Sequence, residues 1–78
     1  MAWTEGRLGF NSENGRYGLL VMDLWVIDGF CCGETLQVQV EGKWMPGRME
    51  MTADGEWYLT GTPFVGKDLE FKRVRAKK

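Results

Sequence analysis

An antiparallel all-β fold is what this 78-residue sequence predicts, on three observations. Turn signals recur at short, regular intervals: NSENG at 11–15, DGF at 28–30, EGK at 41–43, ADG at 53–55 and GTPFVGKD at 61–68. The runs between them are short and rich in β-branched and aromatic residues, and tight glycine turns join antiparallel neighbours but not parallel ones. No segment carries an apolar stripe at helical spacing.

The first strand is EGRLGF, with Leu8 and Phe10 facing inward. RYGLLVMDLWV is apolar on both faces, with Tyr17, Leu19 and Val21 on one and Leu20, Met22 and Leu24 on the other. A long, bent strand shared between two halves of a barrel buries both. ETLQVQVE alternates cleanly, with Leu36, Val38 and Val40 inward and Thr35, Gln37, Gln39 and Glu41 outward. In RMEMTADGEWYL, a three-residue Ala53-Asp54-Gly55 loop sets Met51 opposite Trp57 and Met49 opposite Leu59. Those four become core, while Glu50, Thr52, Tyr58 and Thr60 face outward; a one-residue slip would exchange the two sets. In LEFKRVR, Leu69 and Phe71 share an inward face and Val74 falls out of phase, which implies a bulge near Lys72 and Arg73 or an exit from the sheet. Five to six short antiparallel strands suit a single small SH3-like barrel over residues 1–78, with a short basic tail at 76–78, because closure removes sticky strand edges.

With 44% apolar residues, 27% charged residues and four Trp, the chain has the composition of a packed domain. Folding at this size buries only ~60% of the surface an unfolded chain exposes, so stability of a few kcal/mol is expected. The start MAWTEGRLGF has neither the basic head nor the apolar run of a secretory signal. The longest apolar runs, Leu19 to Met22 among them, are far short of the ~20 residues that span a bilayer. A cytoplasmic location, no membrane association and reduced thiols are expected.

GTPFVGKD matches the glycine and lysine spacing of a phosphate-binding loop. Asp68 stands where that motif needs Ser or Thr for Mg²⁺, and the residues after it read as a strand rather than a helix, so a loop before the final strand is assigned instead. The adjacent pair Cys31-Cys32 suggests a redox or metal site. Consecutive Cα atoms lie ~3.8 Å apart, short of the ~4.4–6.8 Å of ordinary disulfides. An extended pair sends one thiol into the core and the other outward. Zinc needs four ligands, and the chain has no histidine and no further cysteine, so no metal or other cofactor is assigned. Without histidine the commonest general base is missing, and Asp23, Asp28, Glu34, Glu50, Asp54 and Glu56 fall at turns or outward positions. No catalytic residue is assigned, and the chain is read as a non-enzyme.

Aromatic and basic residues remain. Trp57 reads as core, whereas Tyr58 alternates outward and Trp44 stands beside a kink at Pro46-Gly47; Trp3, Trp25, Phe30 and Phe64 lie at ends or in loops. Exposed aromatics on a small barrel form grooves for extended peptides or platforms for stacked bases. Charge is unevenly placed: residues 66–78 hold six Lys/Arg against Asp68 and Glu70, a net +4 that leaves −5 on the remainder. The expectation is a binding module for a protein or peptide partner, acting through Trp44, Tyr58 and Arg48 as a monomer or weak homodimer. The alternative is nucleic-acid binding through Lys72, Arg73, Arg75, Lys77 and Lys78.

The succession GRYGL, GFCCGETLQVQVEGKWMPGRMEM and GEWYLTGTPFVGKDLEFKRVR resembles a small bacterial domain family of unknown function, found in Gram-positive genomes and often in plasmids, conjugative elements and phage-derived regions. The likeness runs from Gly6 to Arg75. Its most specific part is the Cys32-Gly33-Glu34 to Trp44 spacing, followed by Arg48, Glu50 and Trp57-Tyr58-Leu59. The resemblance implies a compact SH3-like fold and no established activity, with Cys32 at a family position and Cys31 an addition. The nucleic-acid alternative is then an accessory protein of a mobile element.

Overall fold

The computed structural model describes residues 2–77, which form seven β-strands against the five to six expected. They are β1 (Trp3–Asn11), β2 (Arg16–Val21), β3 (Leu24–Ile27), β4 (Thr35–Val40), β5 (Lys43–Met51), β6 (Trp57–Leu59) and β7 (Arg73–Lys77). All pair antiparallel in the order β3-β2-β1-β7-β4-β5-β6 and curve into a half-barrel. One 3₁₀ turn, Gly66–Leu69, precedes β7. No helix among the described residues is long and apolar enough to cross a membrane.

β1 serves two neighbours in turn. Its Trp3–Arg7 half pairs with Lys77–Arg73 of β7, and its Arg7–Asn11 half with Leu20–Arg16 of β2. Gly6 stands at this corner, where a Cβ atom would lie 2.2 Å from the Leu20 carbonyl oxygen. Bare backbone is what lets the strands approach there. The inward faces of the central strands meet in one core: Leu8, Leu19, Val38, Met49, Leu59 and Val74 are fully buried. The expected register holds at β5 and β6, where Met49 faces Leu59 and Met51 faces Trp57. Gly55 takes φ +89°, and the Thr52 amide donates to the Glu56 carbonyl at 2.8 Å to close the three-residue loop. Glu41-Gly42, both at positive φ, make the two-residue turn between β4 and β5.

Several expectations are corrected. RYGLLVMDLWV is no single bent strand but the hairpin β2–β3, turning at Met22 and Asp23 with φ +51° and +64°. Phe10, Met51 and Phe71, expected inside, are exposed; Phe10 lies against Tyr17 at the sheet surface with ring centroids 5.3 Å apart. LEFKRVR is not one strand either. Leu69 is buried in the 3₁₀ turn and Phe71 adopts φ +63°, and Phe71 and Lys72 together stand opposite Leu8 of β1, through Phe71 N–H to Leu8 O at 2.8 Å and Leu8 N–H to Lys72 O at 2.9 Å, which is the bulge expected near Lys72. The extra residue resets the phase, so that Val74 and Ala76 point inward along β7. Ala76 and Lys77 are therefore strand residues rather than a tail, and Lys78 lies outside the described residues.

The cysteines are corrected as well, because Cys31–Glu34 is a turn and not a strand. The Glu34 amide donates to Cys31 O at 3.1 Å, the Cys31 amide donates to Glu34 Oε1 at 2.6 Å, and Gly33 at φ +89° completes the bend. Both thiols are exposed and unbridged, and neither enters the core. Phe30, 1% exposed, fills that place.

Strands β3 and β6 remain as the two ends of the sheet instead of pairing into a ring. Two side-chain bonds reach from the β1–β2 hairpin to the β6 side of the sheet: Tyr17 of β2 donates its hydroxyl to Gly66 O at 3.1 Å, and the Trp57 indole of β6 donates to Gly15 O at 2.7 Å. Burial, with the nearby Glu70 carboxylate adding to it, raises the Tyr17 pKa above its ordinary value of 10.0. The folded chain thus keeps this phenol protonated at pH values where the unfolded chain ionises it. Its contribution is complete below pH 10 and is lost as pH climbs from there through the raised folded value. Tyr17→Phe should cost about 1 kcal/mol at neutral pH through the lost bond to Gly66. It should also flatten the alkaline decline, so that urea midpoints of variant and parent keep a constant gap up to about pH 10 and converge above it. A gap still constant above that pH would show that Tyr17 ionises equally in both states.

Candidate functional site

Strand alternation puts a continuous row of side chains on the outer face of β1, β7, β4 and β5. Arg75 lies at its centre, with Glu5 of β1 as its cross-strand partner on one side and Gln37 of β4 on the other. Trp3 faces Lys77 across the β1–β7 pair, and Trp44 faces Gln39 across the β4–β5 pair. Trp3 thus approaches Arg75 from one side and Trp44 from the other. The guanidinium carbon lies 4.8 Å from the Trp3 ring centroid and 4.5 Å from that of Trp44. Such cation–π contacts contribute about 0.5–1 kcal/mol each at exposed sites. Arg75 Nε donates to Gln37 Oε1 at 2.8 Å, which holds the plane of the fork. Lys77 adds a second cation, its Nζ 5.2 Å from the Trp3 ring.

The other arginines of this face are occupied. Arg73 contacts Glu5 at 2.6 Å, Arg7 contacts Asp23 at 2.9 Å and Arg48 contacts Glu50 at 3.6 Å. All three pairs are substantially exposed, so their energies are small. Their consequence is electrostatic: most of the positive charge here is locally neutralised. Beside Arg75 runs an open trough of about 370 Å³ lined by Trp3, Thr35, Gln37, Pro46, Arg48 and Thr60. Pro46 removes an amide from β5 where it faces Gln37, and a Cβ on Gly47 would lie 2.9 Å from the Thr60 carbonyl oxygen, so bare backbone lets Thr60 close in there. The trough meets a second hollow, of about 470 Å³, at Trp3 and Thr35, with Glu34 and Lys77 on its rim.

The structure thus gathers Trp44, Arg48, Arg75 and Lys77 from the two expected sets onto one face. Arg73 shares that face but is held by Glu5. Tyr58 is half-buried and outward, opposite Glu50 and bridged to Val65, and does not line the trough. Lys72 also stands apart, with its Nζ 4.2 Å from the Phe64 ring. Trp3, Gln37 and Pro46 were missed. Gln37 was legible as an outward residue; Trp3 was not, because its place follows from pairing the first strand with the last. Among the described residues no three His, Cys, Asp or Glu side chains group to hold a metal ion.

These features define a small all-β domain that presents a cation clasped by aromatics on a four-strand face. The chain belongs to the family described as a domain of unknown function (DUF5348), whose model matches residues 6–76. A crystal structure of a protein from Ruminococcus gnavus, determined in a structural genomics programme, is similar to it at 36% identity and a TM-score of 0.77. That likeness covers 94% of this chain and 100% of the other. No curated protein matches the chain. Gln37, Trp44 and Arg75 lie within the span matched by the family model, and Trp3 and Lys77 just outside it.

Proposed function

We propose that this chain is a non-enzymatic binding module that engages a protein or peptide partner through the face around Trp44 and Arg75. The observation that carries this reading is the bracketing of Arg75 by Trp3 and Trp44 beside an open trough. A side chain held on both faces loses little conformational freedom when a partner arrives, and rigid aromatic and Arg anchors dominate the energetics of binding surfaces. In this reading the half-barrel is an SH3-like scaffold, working in the cytoplasm as a monomer or weak homodimer.

A second reading has one observation in its favour: β7 places Arg73, Arg75 and Lys77 in an outward row between two tryptophans on which bases could stack. It would make the chain a nucleic-acid-binding accessory of a mobile element. The pairing of Arg7, Arg48 and Arg73 with carboxylates speaks against it, since little net charge remains to attract phosphates.

Capture from host lysate at two salt concentrations, with and without nuclease, separates the two. The expected result is one nuclease-resistant protein, retained at the higher salt. Trp44→Ala, still folded by circular dichroism, should lose it, and Tyr58→Ala should keep it. Recovery of nucleic acid alone, falling steeply with salt, would replace the first reading by the second.

A further inference from the structure

We infer, on the peptide-binding reading above, that this face receives the carboxylate of an Asp or Glu side chain from an extended acidic peptide, on the outward edge of the Arg75 guanidinium. Each part of Arg75 except that edge is already engaged. Trp3 and Trp44 cover its faces, and Nε is bound to Gln37. The two Nη groups have no acceptor among the described residues. No buried side-chain nitrogen or oxygen there lacks a partner, so the Nη groups open to solvent. A planar fork with two parallel N–H donors matches a carboxylate in both geometry and charge.

The surrounding charges set the kind of anion. Arg7, Arg48 and Arg73 each already hold a carboxylate, while Arg75 and Lys77 have none within ion-pair distance among the described residues. This leaves one oriented fork with a lysine beside it, both against Trp3, and Glu34 near Lys77 in the adjoining hollow. Two unpaired cations suit a single carboxylate, whereas a row of phosphates needs more free cations than the described residues of this face have left. The adjoining trough, floored by Gln37 and Pro46 and walled by Trp3, gives the rest of an extended peptide its apolar and hydrogen-bonding contacts.

The test is selection from a random-sequence peptide library on the full chain, followed by affinity measurement on the selected peptides. The expected result is one acidic position common to the selected sequences. Changing that Glu to Gln, or Asp to Asn, in the peptide should weaken binding roughly 10- to 100-fold, as loss of a charge-assisted hydrogen bond does. Arg75→Lys, which keeps the charge but not the fork, should weaken it similarly, with the chain still folded in a thermal melt. The peptide substitution reads the same contact on the unaltered chain, so a destabilised Arg75→Lys does not blur the outcome. Selected peptides that lack an acidic position, yet lose binding on Trp44→Ala, would overturn the carboxylate and leave the peptide-binding reading standing. If the chain selects no peptide, whether or not it binds a 12-nucleotide oligo(dT), both are overturned.

Discussion

Trp57→Ala should lower the stability of the domain by about 3–5 kcal/mol, the range for truncating a large buried ring, and so unfold most of the chain at room temperature. Trp57 is only 9% exposed and lies on β6, one end of the sheet. Its indole N–H reaches the Gly15 carbonyl in the turn between β1 and β2, at 2.7 Å. It therefore contributes both core volume and one of the two side-chain bonds between the β6 side of the sheet and the β1–β2 hairpin. Trp57→Phe separates these contributions. It keeps most of the ring packing, loses the bond, and should cost about 1–2 kcal/mol. Urea titration followed by far-ultraviolet circular dichroism checks both. A loss below about 1 kcal/mol for the alanine variant would mean that the core holds without the β6 end.

Gly6→Ala should be nearly as damaging, at about 3 kcal/mol, the upper part of the range for overpacking. The added methyl would lie 2.2 Å from the Leu20 carbonyl oxygen, 3.0 Å from a Val21 methyl and 3.1 Å from a Leu19 methyl. The oxygen belongs to the backbone and cannot swing aside as a side chain can, so β1 and β2 must separate at the corner. Gly15→Ala makes a useful contrast. Nothing lies within 4 Å of its Cβ position, and only its φ of +71° resists the change, so about 1 kcal/mol is expected. Thermal melts of the two variants should therefore rank Gly15→Ala well above Gly6→Ala. Equal losses would mean that the corner relaxes and that backbone conformation alone sets the cost.

The parts of the fold that could be read in advance are those built by short-range turn chemistry. The alternation of Leu36, Val38 and Val40 and the Glu41-Gly42 turn specify β4 and its hairpin within a few residues. The Ala53-Asp54-Gly55 loop specifies the register of Met49 against Leu59. The hairpin at Met22-Asp23 escaped because that turn type favours Asn-Gly, and a methionine at φ +51° gives no local signal. Its Asp23 pairs with Arg7, which belongs to another strand. Phe71 escaped similarly. Its left-handed conformation accompanies the hydrogen bond to Leu8, far away in the chain.

The candidate site divides along the same line. Outward Trp44, the Pro46-Gly47 pair beside it and a basic C-terminal segment are properties of the sequence alone, as are the all-β class, the lack of histidine and the weakness of any cysteine site. Only the tertiary structure joined the two candidate sets into one face. Periodicity tells which side of a strand a residue occupies; it says nothing about which strands become neighbours. Pairing the first strand with the last brought Trp3 to Arg75, and pairing β7 with β4 brought Gln37 to its Nε. The same pairings left Tyr58 and Lys72 outside. They also placed Glu5 on Arg73 and so removed much of the charge that had suggested nucleic acid. Non-local strand order decided which cation stands clasped and unpaired, because a guanidinium is stacked and oriented by side chains that reach it only after the sheet has formed.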